Sequence, residues 1–210
     1  MTQSNNRNFF IRRFHSLIAL IPIGIFLLVH LFINSSVFAG LDNYEFFISI
    51  MESEHIHNYV LLAEIVIIGL PLLFHGIYGF YIVYKAKNNV TQYKYYRNWA
   101  FYLQRITAVI IALFLIWHVA VMRFIAPRDP AGMMDYMVQV LQNPVNFILY
   151  IIGVAAAIYH FTNGLFTFCL TWGISQGEKA QKIFSVCAVL LFVVLTIAAV
   201  AILFAIRLSA

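Results

Sequence analysis

The sequence predicts an all-α membrane protein: a bundle of five transmembrane helices, N-terminus inside and C-terminus outside. Three observations lead there. Of the 210 residues, 63% are hydrophobic and only 10% charged, with a mean hydropathy of +0.87. That is more apolar surface than a soluble domain of this size can bury. The apolar residues gather in five runs, each meeting the roughly 20 residues that a spanning helix needs. The lysines and arginines then collect in alternate connections between those runs.

The first run covers about 13–35 and follows Arg12 and Arg13. It is long enough to span, so it reads as a retained helix and not as a cleaved signal peptide. The segment 36–58 carries Asp42, Glu45, Glu52 and Glu54 and has room for a short surface helix. The second run is about 59–85, and "KAKNNVTQYKYYRN" after it is basic. The third, about 98–124, ends before "APRDPAGMMD", a stretch broken by two prolines. The fourth covers about 145–174, "SQGEKAQK" makes a short turn, and the fifth is about 181–207. Residues 1–210 read as a single transmembrane domain.

Orientation follows from the basic residues. Arg7, Arg12 and Arg13, then Lys85, Lys87, Lys94, Arg97 and Arg105, then Lys179 and Lys182 all fall on one side. Arg123, Arg128 and Arg207 fall on the other, with most of the acids. The positive-inside rule makes the first side cytoplasmic. It also accounts for the net charge of +5, so no nucleic-acid partner is expected. Cys169 and Cys187 lie in apolar runs and read as small packing residues.

Of seven histidines, His55 and His57 fall in an outer connection and His15 at the inner end of the first run. The other four, His30, His75, His118 and His160, fall one each on the first four helices. An imidazole in hydrocarbon needs a partner. At about 1.5 Å of rise per residue, they sort by depth into an outer pair, His30 and His118, and an inner pair, His75 and His160. Two histidines facing across a bundle suit one haem with two axial imidazoles, and two pairs suit two stacked haems. Zinc, the rival ligand, wants four close donors or three and a water, which two separated pairs fit badly. A small transporter with histidines along a polar pathway is the reading from another class.

Gly76, Gly79 and Gly164 lie within a turn of His75 or His160, with Gly24, Gly69 and Gly153 farther off. They offer either gaps for a macrocycle or ordinary close helix packing. Arg105, well inside the third helix, would be costly there unpaired, unless it snorkels to the inner interface. Together with Arg12, Arg13 and His15 it can hold the propionates of an inner haem. Glu64, on the outer part of the second helix, is an intramembrane carboxylate and hence a candidate functional residue.

The stretches "RRFHSLIALIPIGIFLLVH", "LPLLFHGIYGFYIVYKAKNN", "YRNWAFYLQRITAVI", "IWHV" and "YHFTNGLFTFCLTWGI" closely resemble the dihaem cytochrome b anchor subunits of succinate:menaquinone oxidoreductases of the Gram-positive type. The resemblance runs from Arg12 to about Ile174. It implies that His30, His75, His118 and His160 are axial ligands of two b haems. It implies two partners on the cytoplasmic face, an FAD-containing flavoprotein subunit that oxidises succinate and an iron–sulfur subunit. It also implies menaquinone as electron acceptor and a bacterial cytoplasmic membrane as location. A site for the quinone is expected beside the outer haem, with Glu64 as its proton donor. Related fumarate reductases carry a glutamate two residues before the last ligand. Here Ile158 stands in that place, so that role is not carried over. The same architecture run in reverse, as a quinol:fumarate reductase anchor, is the alternative within the class.

Overall fold

The computed structural model describes residues 2–53 and 56–209, with side chains from Asn8 onward. Glu54, His55 and the Arg7 side chain therefore lie outside the described residues. Five long apolar helices are present: α1 (Asn8–Ala39, continuing a helical stretch that begins at Thr2), α3 (His57–Lys85), α4 (Tyr96–Ile125), α6 (Pro144–Thr171) and α7 (Glu178–Leu208). Two shorter helices, α2 (Leu41–Met51) and α5 (Pro130–Gln142), lie in the connections at one end of the bundle. That end is called capped and the other open.

The helices overrun the apolar runs that announce them, because a helix continues through polar residues until a breaker stops it. Only the fourth is shorter than expected, since the chain turns at Trp172 and Gly173. The proline-broken segment is the larger departure. Pro130 opens α5 instead of preventing it, and the Asp129 side chain accepts from the Gly132 amide at 2.9 Å. Proline at the first helical position loses no bond there, because that N–H is free in any helix. Asn143 caps α6 in the same way, accepting from Val145 N at 2.9 Å.

Three spans contain a π-helical turn. The turn Ala19–Gly24 includes Pro22, Glu64–Gly69 ends two residues before Pro71, and Ala120–Ile125 closes α4. A mid-helix proline removes one backbone donor and clashes with the preceding turn. A local π adjustment keeps the remaining groups paired where no water can reach them.

α6 is the central helix, packed against α4 on one flank and α7 on the other. Close approach is written into two glycines. A Cβ at Gly153 would overlap the Phe114 ring of α4, and one at Gly24 would come within 2.6 Å of Phe161. Elsewhere the long helices present apolar side chains outward, with Ile116 72% and Ile197 65% exposed, as suits a lipid-facing surface. The buried core gathers at the capped end, where α2 and α5 cover α6 and α7 through Tyr44, Ile48, Met134, Leu141, Phe147 and Ile206. Tyr44 donates to the Met137 sulfur at 3.7 Å, and burial pushes its hydroxyl up to about 12.

Candidate functional site

Two histidine pairs occupy the bundle at different levels. His30 of α1 and His118 of α4 face each other nearer the capped end, ring centroids 6.0 Å apart and planes at 81°. His75 of α3 and His160 of α6 face each other nearer the open end, at 6.1 Å and 89°. These are the pairs that the depth argument predicts. All four side chains are partly buried.

The hydrogen bonds around the second pair fix which nitrogen is free. His75 Nδ1 donates to the His15 carbonyl at 3.4 Å, and His15 Nε2 donates back to the His75 carbonyl at 3.1 Å. The two rings stack at 4.1 Å. His160 Nδ1 donates to the Gln104 carbonyl at 3.1 Å. A carbonyl only accepts, so Nδ1 carries the proton in both rings and Nε2 keeps its lone pair. That is the tautomer a metal ligand requires, and a backbone carbonyl is its usual second partner.

Gln104 makes this arrangement reciprocal. Its side chain donates to the His160 carbonyl at 3.0 Å and accepts from Asn163 Nδ2 at 2.7 Å. Thus α4 and α6 are locked to each other around His160. At the other level, His118 Nδ1 lies 3.2 Å from the Tyr150 hydroxyl, and Phe26 stacks on His30 at 5.5 Å.

The donor set fits a haem iron better than zinc. Two imidazoles bound on opposite faces of one metal ion, each at roughly 2 Å, hold their centroids about 6 Å apart. Both pairs have that spacing. Among the described residues, no three His, Cys, Asp or Glu side chains converge on a common point. Arg105 supplies a second indication. It is 7% exposed, donates through Nη1 to Asn88 Oδ1 and lies 3.8 Å over the Phe101 ring. Its Nε and Nη2 are buried with no partner, which is the state of a guanidinium built to meet an anion. The carboxylates of a haem edge are such an anion.

The remaining predicted residues divide. Arg13 is engaged already, donating to the Thr171 carbonyl at 3.1 Å and lying 4.9 Å from the Trp172 ring. Arg12 is exposed. Of the glycines, Gly76 opens onto free space, whereas Gly79 faces His15 and Gly164 faces Gln104, each at 3.6 Å. Glu64 is ion-paired: Arg123 Nη2 lies 2.9 Å from its carboxylate, and Arg123 Nη1 lies 3.1 Å from Glu52. His57 joins the group at 3.1 Å from Glu52. The sequence reading missed Gln104, Asn163 and Tyr150. A glutamine and an asparagine inside apolar runs were a usable signal. One tyrosine among twelve was not.

The family described as "Succinate dehydrogenase/Fumarate reductase transmembrane subunit" matches residues 85–199, more than half of the chain. The chain belongs to that family. The matched segment holds His118, His160, Gln104, Arg105 and Tyr150, and it begins after His30 and His75. The chain is also 42% identical over 193 residues to the succinate dehydrogenase cytochrome b558 subunit of Bacillus subtilis (strain 168), covering 92% of this chain and 94% of that protein. Five apolar spans agree with a multi-pass transmembrane subunit of this family.

Proposed function

We propose that this chain is the cytochrome b membrane anchor of a succinate dehydrogenase, holding two b haems and passing electrons from an iron–sulfur subunit to menaquinone. What carries the reading is the pair of facing histidine couples at 6.0 and 6.1 Å. His75 and His160 hold the inner haem through Nε2, and His30 and His118 hold the outer one. When bound, each haem supplies a one-electron carrier.

The chain's own residues supply the rest. The Gln104 and His15 carbonyls hold the inner ligands in the ligating tautomer. Arg105 meets the inner propionates, with Arg12, Arg13 and His15 at the same end of the bundle. The open end, bearing Lys87, Lys94, Lys179 and Lys182, is cytoplasmic. It docks the iron–sulfur subunit, which in turn carries the FAD-containing flavoprotein. The capped end faces outward in a bacterial cytoplasmic membrane, and menaquinone is reduced there beside His30, His118 and Glu64.

Two levels of haem serve this geometry, since electrons moving from the negative inside to the positive outside gain about 2.3 kcal/mol per charge per 100 mV. The deciding experiment is purification of the complex with its soluble subunits and measurement of haem per chain. Two haems b per chain, co-purifying with flavin and iron–sulfur subunits, are expected. An active but colourless preparation would sink the reading.

A further inference from the structure

At His75 and His160 a backbone carbonyl meets Nδ1, with the Thr107 hydroxyl a second contact of His160 at 3.4 Å, whereas among the described residues His118 has a hydroxyl alone. Tyr150 is 2% exposed. Its ring is held edge-on by Trp117 at 5.1 Å and Phe114 at 5.5 Å, so its hydroxyl is aimed and not free to wander. A carbonyl acceptor admits one histidine tautomer. A hydroxyl admits two: it accepts from Nδ1–H and leaves the Nε2 lone pair free, or it donates to Nδ1 and leaves the proton on Nε2. Only the first can ligate a metal. Among the described residues, the His30 ring makes no hydrogen bond. His118 therefore carries the one such bond of its pair.

On the reading that His30 and His118 hold the outer haem, we infer that Tyr150 is the positioning residue of that site, fixing the His118 ring orientation, accepting from Nδ1–H once Nε2 ligates, and lowering the outer haem's reduction potential. The cause is electronic. A hydroxyl accepting from Nδ1–H raises the electron density at Nε2, and a more basic imidazole stabilises ferric over ferrous iron. α6 thus serves both levels, giving Tyr150 to the outer pair and His160 to the inner.

The test is Tyr150→Phe in the assembled complex, which keeps the ring against Trp117 and Phe114 and deletes only the hydroxyl. In a redox titration followed by visible absorbance, the component that disappears in His118→Ala should titrate at a higher potential. The other component should stay where it is. The low-spin ferric EPR signal of the outer component should change with it, because the ring is no longer held. Unchanged potentials and signals, or equal shifts in both components, overturn the inference. Should Tyr150→Phe lose the outer component altogether, Tyr150→His, which restores a polar ring partner, decides. Its recovery supports positioning and its continued absence refutes it. A wild-type complex with one titrating component instead overturns the two-haem reading, and this assignment with it.

Discussion

Arg123 Nη2 lies 2.9 Å from the Glu64 carboxylate, tying the end of α4 to the π-helical turn of α3. The same guanidinium reaches Glu52, and Glu52 and His57 line a cleft of about 510 Å³ at the capped end. Glu64 is thus a paired carboxylate, not an isolated one. If it delivers protons to quinone, Glu64→Gln should lower quinone reduction on the order of 10²-fold, the usual weight of a positioned proton donor. Both haems should remain, as should succinate oxidation with an artificial acceptor. Full quinone reductase activity in that variant would remove Glu64 from the mechanism and leave it as Arg123's structural partner.

The histidine pairs make a second prediction, one of grouping. His75→Ala and His160→Ala should delete one spectral component, and His30→Ala and His118→Ala the other. On the two-haem reading, each deletion would leave an iron short of a ligand and an emptied slot in the bundle. Difference spectra and redox titrations of the four variants check it. Loss of the same component from His30→Ala and His75→Ala would break the pairing.

A third follows from the ring planes, which stand at 81° and 89° within the two pairs. Perpendicular imidazoles present equivalent π donation along two directions, leaving two iron d orbitals almost degenerate. Low-spin ferric haems with such ligands give strongly anisotropic EPR signals. Parallel imidazoles split the orbitals and give an ordinary rhombic spectrum. Both components of the oxidised complex should show the anisotropic form, and a rhombic spectrum from either would contradict the ring geometry of that pair.

How much of this was legible in the residues depends on how each feature is encoded. The spans were plain, because long apolar runs have few other uses. The four histidines stood out because each carries a burial cost, and their depths followed from a fixed rise per residue. Helix α5 was not seen, because Pro127 and Pro130 read as breakers when one of them was a first-turn residue. Gly24 and Gly153 were weighed as gaps for a macrocycle, and the structure gives them to helix contacts. Which of those uses a glycine serves depends on the neighbouring helix, which periodicity does not name. Tyr150 was invisible for the same reason: its role lies in the residue opposite, His118, and nothing in its local sequence marks it.

Arg105 carries the last prediction. Its side chain is 7% exposed, with Nε and Nη2 unpartnered, and it follows Gln104 in sequence, whose carbonyl orients His160. An uncompensated guanidinium in such a place destabilises the bundle, whereas one facing a propionate is paired and hydrogen-bonded. The sign of a substitution should then depend on haem. In the haem-free chain, Arg105→Gln should leave thermal stability unchanged or raise it. In the loaded complex it should lower stability and weaken retention of the inner haem. Electrostatics sets a second sign. A fixed positive charge near the iron favours the reduced, less positive state, so removing it should lower the potential of the component that His75→Ala and His160→Ala delete. The other component lies a helix-half away and should not move. Arg105→Lys keeps the charge but not the planar fork, so it should hold the potential closer to wild type while losing retention. Equal stability changes with and without haem, and a potential that does not move in Arg105→Gln, would mean that Arg105 answers to Asn88 and Phe101 alone.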